Sequence, residues 1–427
     1  MDQNRHWVHT WTAMPMPTEP DNLPPKKFVI LIKVSKTRNT TIFPNTTIRQ
    51  TVKITLGTEN FFRLRLSNAF GTDYLTLSQI TMALAHDNIS GSSRIKANTL
   101  RNVTFDDGLE TTNIVCGAQA VSDPISFGFP LSPNTVLCIS IFLKDGQDSQ
   151  TGITSHPGSR TSSFCSLGNC ASETDLIDPS VQEIEHWFYI SGIEVLVPRE
   201  WGAFAIIGDS ITDGRCSTTN GNDRWPDLLF SRLQSNPVTA FISILNQAAG
   251  GNRILADGLG PNLLSRLDRD VLSLSGVKYV LIFEGVNDIG TAEANEESQK
   301  VIGDRMIAGY KQVVTRVHAH GISIFAATIT PFERRKGEVV ADAEAEGLSR
   351  YSHPIRARTR QRVNKWIHES GVFDAVIDFN EVLEDNDENG LLKREFDSGD
   401  RLHPNTQAFK EMADFFPLDV FERVLFF

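Results

Sequence analysis

From Trp201 onward, short apolar runs alternate with stretches of helical period, five times over. The runs are Ala203–Ile207, Phe241–Leu245, Tyr279–Phe283, Ile322–Ile329 and Ala375–Phe379. The helical stretches are Trp225–Gln234, Pro261–Leu274, Val301–Val317, Pro354–Glu369 and Pro404–Val424. In the third, Ile302, Met306, Tyr310, Val313 and Val317 fall at steps of three and four, which puts them on one helix face. The other four carry Pro at or next to their start, where a missing N–H costs nothing. Strand and helix in strict alternation predict a parallel sheet covered by helices on both faces.

Residues 1–197 have a different period. In Asn60–Ser67, Phe62, Leu64 and Leu66 alternate with Arg63 and Arg65, the period of two of a half-buried strand. Similar runs cover Ile48–Leu56, Leu75–Leu84, Leu100–Phe105, Val136–Leu143 and His186–Val197, with Gly, Pro, Asn and Asp between them. No amphipathic helix stands out. Many short strands separated by turn residues point to a β-sandwich-like accessory domain over 1–197, followed by an α/β domain over 198–427. The segment Phe332–His353 is polar and charged and reads as an insertion or flap, with a solvated surface loop as its plainest form.

Composition removes several function classes. The net charge of −11 is wrong for a phosphate-backbone binder or a partner of anionic membranes. The longest apolar run, Phe28–Val34, is far short of the roughly 20 residues of a spanning helix. Residues 1–20 lack the basic and apolar regions of a signal peptide. The expectation is a soluble chain, either intracellular or secreted with its signal removed; oligomeric state is left open. Five cysteines leave at least one without an internal partner. Cys165 can pair with Cys170 and Cys116 with Cys138; the alternative is that all five are reduced and buried. There is no CxxC or Cys/His cluster for structural zinc. Sequons begin at Asn39, Asn45, Asn88 and Asn102, a weak sign of a secretory history.

The loops leaving the carboxyl ends of parallel strands gather on one sheet edge, where ligands bind in open α/β sheets. Read in order, they are Gly208–Gly214 (GDSITDG), Asn246–Arg253 (NQAAGGNR), Glu284–Gly290 (EGVNDIG) and, beyond a longer loop, Asp400–Pro404 (DRLHP). This inventory suits acyl transfer. Ser210 needs an adjacent base, which His403 can supply at neutral pH. Asp400, three residues earlier, can curl back to accept from Nδ1–H. Donors for an oxyanion come from the Ser210 N–H, the Gly251 N–H and the Asn287 carboxamide. Taken singly, each has a plain reading as a turn, cap or backbone-shaping residue. All four loops falling at strand ends of one sheet is harder to dismiss.

These segments resemble the sequence blocks of the SGNH hydrolases, the GDSL lipase/esterase family. GDSIT is similar to its first block, the Gly of GGNR to its second, GVND to its GxND block and DRLH to its DxxH block. The longer stretches beginning at Gly208 and Gly250 resemble a subgroup of acetylxylan-esterase-type proteins. Arg63–Gly71 and Ser155–Ser163 resemble that subgroup's N-terminal β-rich region. The resemblance implies a three-layer α/β/α, flavodoxin-like domain with Ser210 as nucleophile, Asp400 and His403 as its partners, and Gly251 and Asn287 as oxyanion donors. Cys216 departs from the glycine expected there, which implies a narrowed pocket or an unusual backbone conformation.

There is no GxSxG elbow, HExxH or P-loop, and no metal or organic cofactor is implied. The expected activity is hydrolysis of small to medium acyl esters, with acetyl groups on carbohydrate as the substrate the subgroup implies. The rivals are an acyltransferase using the same serine, and a non-catalytic glycan-binding protein. Asp209, Arg253 and Asp288 are further candidates for substrate contact. His156 and Arg160 are candidates if the loop Ser155–Ser163 reaches the pocket rim rather than packing on its own domain.

Overall fold

The computed structural model describes residues 4–18, 22–34, 37–59, 61–149, 152–334 and 351–423. Residues 335–350, the middle of the charged insertion, lie outside them. The chain divides into two compact units. One is Met1–Trp201 with Thr219–Gly221; the other is Gly202–Thr218 with Asn222–Phe427. The brief return of Thr219–Gly221 to the first unit is carried by hydrogen bonds. Asn220 N donates to the Arg160 carbonyl (2.9 Å), and Asn220 Oδ1 accepts from Ser162 N (2.8 Å).

The N-terminal unit is built from antiparallel strands. Arg5–Thr12, Ile190–Pro198, Phe62–Ser67 and Gln119–Val121 form one sheet in that order. A six-stranded sheet runs Gln182–Ile184, Ser163–Leu167, Thr46–Lys53, Val136–Leu143, Gln79–Leu84, Arg101–Asn102. Its inner strand Val136–Leu143 (VLCISIFL) is buried at every position and pairs on both edges. Helical backbone among this unit's described residues is limited to short 3-10 turns. Phe62, Leu64 and Leu66 are buried, as their alternation requires. Arg63 and Arg65 on the other face meet Glu194, which is wholly buried, at 2.5 and 2.9 Å. All five cysteines are free thiols, so neither possible pairing forms; Cys138 and Cys165 are buried, whereas Cys116 and Cys216 are exposed, against the alternative that all five are buried. Burial in an apolar setting pushes the Cys138 thiol up to about 11 and Cys165 to about 12.

The C-terminal unit holds five parallel strands: β1 (Gly202–Gly208), β2 (Ile242–Ala248), β3 (Val277–Phe283), β4 (Ser323–Ala327) and β5 (Ala375–Ile377). Their order is β2-β1-β3-β4-β5, the doubly wound arrangement whose ligands sit at the carboxyl ends beside the first strand. The helices among the described residues are α1 (Ser210–Asp213), α2 (Trp225–Ser235), α3 (Leu263–Leu267), α4 (Val286–Thr291), α5 (Glu296–Ala319), α6 (Pro354–Glu369), α7 (Phe379–Leu383), α8 (Thr406–Phe415) and α9 (Val420–Arg423). Met306, Tyr310, Val313 and Val317 of α5 are buried as a stripe, while Ile302 is half-buried. The last predicted helix is broken in two, Thr406–Phe415 and Val420–Arg423. Phe416 precedes Pro417, whose ring disfavours helical backbone one residue upstream, and Phe416 sits at φ −57, ψ 121. The stretch Pro261–Leu274 becomes α3 followed by a π-turn over Asp268–Leu272. No helix among the described residues is long and apolar enough to cross a membrane.

Candidate active site

Strand β1 ends in a glycine for a steric reason. A Cβ at Gly208 would stand 2.7 Å from the Thr212 side chain and 3.0 Å from the Phe283 carbonyl oxygen. The chain then turns into α1, with Asp209 as N-cap accepting from Ile211 N at 3.0 Å. Ser210 opens the helix, where amides have no intrahelical acceptor, and is 8% exposed. Gly214, at φ +88, closes this single turn.

Ser210 Oγ lies 2.7 Å from His403 Nε2. His403 Nδ1 lies 2.6 Å from Asp400 Oδ2. Asp400 Oδ1 accepts from the backbone N–H of Leu402 (2.9 Å) and His403 (2.8 Å), so the carboxylate is held by its own loop. Burial pushes the Asp400 carboxyl up, but the His403 ring and these two amides outweigh it and hold it at about 2. An ionised Asp400 selects the imidazole tautomer with its proton on Nδ1. Nε2 is then left to accept from the serine hydroxyl.

Two further loops complete the edge. Gly251 adopts φ +70, and a Cβ there would lie 2.8 Å from the Leu259 side chain, so both conformation and space call for glycine. Asn287, in α4, is 4% exposed; its Nδ2 donates to the Asn252 carbonyl at 3.0 Å, and its Oδ1 accepts from the Tyr351 hydroxyl at 2.9 Å. Asn252 is itself clamped. Its Oδ1 accepts from Arg266 Nε (3.0 Å), and its Nδ2 donates to the Pro261 carbonyl (2.8 Å). Arg266 and Tyr351 carry no motif, and Asn252, although inside the GGNR of the second loop, was given no role by sequence reasoning. Tyr351 stands at the end of the stretch read as a solvated insertion.

Three of the expected substrate contacts, Asp288, Asp209 and His156, are buried with partners inside the protein. The Asp288 carboxylate is buried and takes the N–H groups of Ile254 (2.9 Å) and Leu255 (3.1 Å), tying the second loop to the third. Asp209 is buried and spent on its helix cap. Burial lifts Asp209 to about 7 and Asp288 to about 6, against the pull of the amides they accept from. His156 is buried in the N-terminal unit, with Nδ1 on the Met14 carbonyl (3.0 Å) and its ring stacked on Trp187. Arg160 sits in that unit at φ +49. Arg253 is partly exposed, bonded to the Asp257 carbonyl and to Thr291 Oγ1 (3.3 Å). Cys216 is exposed with φ +73, a conformation that glycine adopts at no steric cost. Among the described residues, no group of three or more His, Cys, Asp or Glu is arranged to hold a metal ion.

Residues 206–410 match the sequence profile of the GDSL-like lipase/acylhydrolase family. This segment is a GDSL-like lipase/acylhydrolase domain. Solved structures that the chain matches include a putative G-D-S-L family lipolytic protein from Desulfitobacterium hafniense DCB-2. It is 21% identical, with a TM-score of 0.36, over 50% of this chain and 96% of that one. An acetylxylan esterase variant from Geobacillus stearothermophilus is 21% identical, with a TM-score of 0.35, over 54% of this chain and 97% of that one. A putative acylhydrolase from Bacteroides fragilis NCTC 9343 is 18% identical, with a TM-score of 0.37, over 52% and 88%. No curated protein sequence matches the chain.

Proposed function

We propose that the GDSL-like domain is a serine esterase that hydrolyses small to medium acyl esters through an acyl-enzyme on Ser210. The observation that carries this reading is the contact series Ser210 Oγ, His403 Nε2, His403 Nδ1, Asp400 Oδ2, at 2.7 and 2.6 Å. A base within hydrogen-bond reach, oriented by a third group, is what an unactivated hydroxyl needs to become a nucleophile. In this mechanism the Ser210 oxygen bonds to the acyl carbon and its proton passes to His403 Nε2. That proton goes to the departing alcohol. Water then attacks the acyl-serine, again giving its proton to His403, and the carboxylic acid leaves as Ser210 is restored. The Ser210 N–H, the Gly251 N–H and the Asn287 amide are assigned to the tetrahedral oxyanion. Asp288 and Asn252 hold two of those donors in register. The N-terminal unit is assigned an accessory role, supplying none of these groups.

The test is covalent. A fluorophosphonate probe should label one peptide, the one containing Ser210, and block turnover of p-nitrophenyl esters in proportion to labelling. Protein that turns over esters with no label on that peptide would refute the assignment. Product analysis with added alcohols, across an acyl-length series and acetylated sugars, separates hydrolysis from transfer and names the substrate class.

A further inference from the structure

Among the residues of the described chain that no motif singles out, Tyr351 stands where it bears on chemistry. The Asn287 carboxamide is held at both ends. Its nitrogen faces the Asn252 carbonyl, an acceptor without a donor, so the amide must present N–H there and oxygen on its other side. That oxygen faces the Tyr351 hydroxyl at 2.9 Å, and the phenol is therefore the donor. One Nδ2 hydrogen is used on Asn252; the other is the one available to substrate. The terminal torsion of an asparagine is broad, so a single hydrogen bond leaves the amide free to rock about it. A second bond at the oxygen removes that freedom.

Tyr351 is itself anchored. A Cβ on Gly290 would fall 1.9 Å from Tyr351 Cε1, so the ring lies against a helix position that only glycine leaves open. The Tyr351 carbonyl accepts from His353 N at 2.8 Å, one residue before α6 begins. Ser352 Oγ donates to the Phe332 carbonyl at 2.8 Å, and Phe332 is wholly buried, so the two feet of the insertion are tied together beside the tyrosine. The phenol is raised above its ordinary value by burial, with Asp209 and Asp288 near enough to add to this and Arg253 and Arg356 opposing it. The hydroxyl stays protonated and able to donate at neutral pH.

We propose that Tyr351 is a positioning residue. Its hydroxyl locks the Asn287 carboxamide so that one N–H points at the developing oxyanion. The proposal rests on the esterase reading of Ser210 and deepens it. A donor aligned before the reaction is worth more than one that must rotate into place.

Tyr351→Phe keeps the ring on Gly290 and deletes only the donor. The expected result is a fall in kcat of about threefold to tenfold, the worth of one neutral hydrogen bond, with KM little changed. In an Asn287→Ala background the same substitution should cost less than about twofold, because the amide it orients is gone. Gly290→Ala, which drives the ring away while leaving the hydroxyl in the sequence, should reproduce the kcat loss and likewise lose its effect beside Asn287→Ala. Rates are taken per fluorophosphonate-titrated site, with thermal midpoints measured alongside. A Tyr351→Phe kcat within about twofold of wild type, or the same fold loss with and without Asn287, would overturn the proposal. Ester turnover that survives Ser210→Ala would overturn the esterase reading and the proposal together, a result distinct from either.

Discussion

Arg49 in the N-terminal unit and Arg266 in the C-terminal unit are both buried guanidinium groups, at 0% and 1% exposure, and they serve different ends. Arg49 donates to Ser140 Oγ (2.9 Å) on a neighbouring strand. It also donates to the carbonyls of Ser93 (2.7 Å), Cys170 (3.1 Å) and Glu173 (2.7 Å) in two separate loops. It staples irregular chain to a sheet. Arg266 holds Asn252 Oδ1 and the Gln247 carbonyl (2.8 Å) and faces Glu284 at 3.5 Å, all next to the loops that carry Gly251 and Asn287. Its hydrogen bonds end at the active-site edge. Burying a charge is costly in both places. In the first unit the return is an ordered fold from short strands. In the second it is a rigid frame behind the proposed catalytic edge.

The comparison breaks first at the serine. Ser210→Ala should lower ester turnover by about four orders of magnitude or more and leave the unfolding midpoint nearly unchanged, since Oγ faces the site. Residual turnover near wild type would remove the catalytic half of the contrast. Arg49→Met comes next, with the opposite signature: about 3–5 kcal/mol of stability lost, because three carbonyls and a hydroxyl are left buried without their donor. Urea melts read it. Retained stability would mean that those loops hold without the staple.

Asn287→Ala should lower kcat by about 100-fold to 1,000-fold, roughly 2.7–4 kcal/mol, with a modest change in KM. A mutant with native melting and near-normal kcat would return Asn287 to a turn-shaping role. Smaller and pH-dependent is Asp209→Asn. Burial raises the Asp209 carboxyl to about 7, so the folded chain keeps a proton that the unfolded chain releases near its ordinary value of about 4. The stability from this group is complete below the unfolded value and is lost progressively as pH rises from there to about 7. Asparagine still caps α1, so the variant's midpoint relative to wild type should climb between about pH 4 and about pH 7 and level off above that. A difference independent of pH would remove Asp209 as the titrating group. Smallest is Cys216→Gly, which relieves a positive φ at an exposed site. It should add up to about 1 kcal/mol in melts, and a loss of stability would show that the thiol makes a contact worth more than the strain.

Legibility also divides along this line. In the C-terminal unit the five apolar runs mark five strands, because a strand buried on both faces needs an unbroken apolar sequence. Asp400 and His403 were visible as a pair, being three residues apart and joined through their own loop. In the N-terminal unit the strand Arg5–Thr12 was missed. Its His9 and Thr10 are buried despite being polar, so its sequence has no apolar stripe to read. Strands of two or three residues, such as Thr154–His156 and Met16–Pro17, are too short to show any period. The three-residue return at Thr219–Gly221 leaves no trace in composition.

By itself the sequence determined the class of each half and singled out the four loops to which the proposed chemistry is assigned. Periodicity records which side chains face a core, and strand direction then sends the four loops to one edge. Only the tertiary structure decided the strand order β2-β1-β3-β4-β5 and the spending of Asp288 on two amides. It also decided the clamp from Arg266 through Asn252 and Asn287 to Tyr351. Tyr351 and Asn287 are 64 positions apart. No local pattern encodes such a contact, because the partner of a buried polar group is whichever donor the sheet's topology brings alongside it.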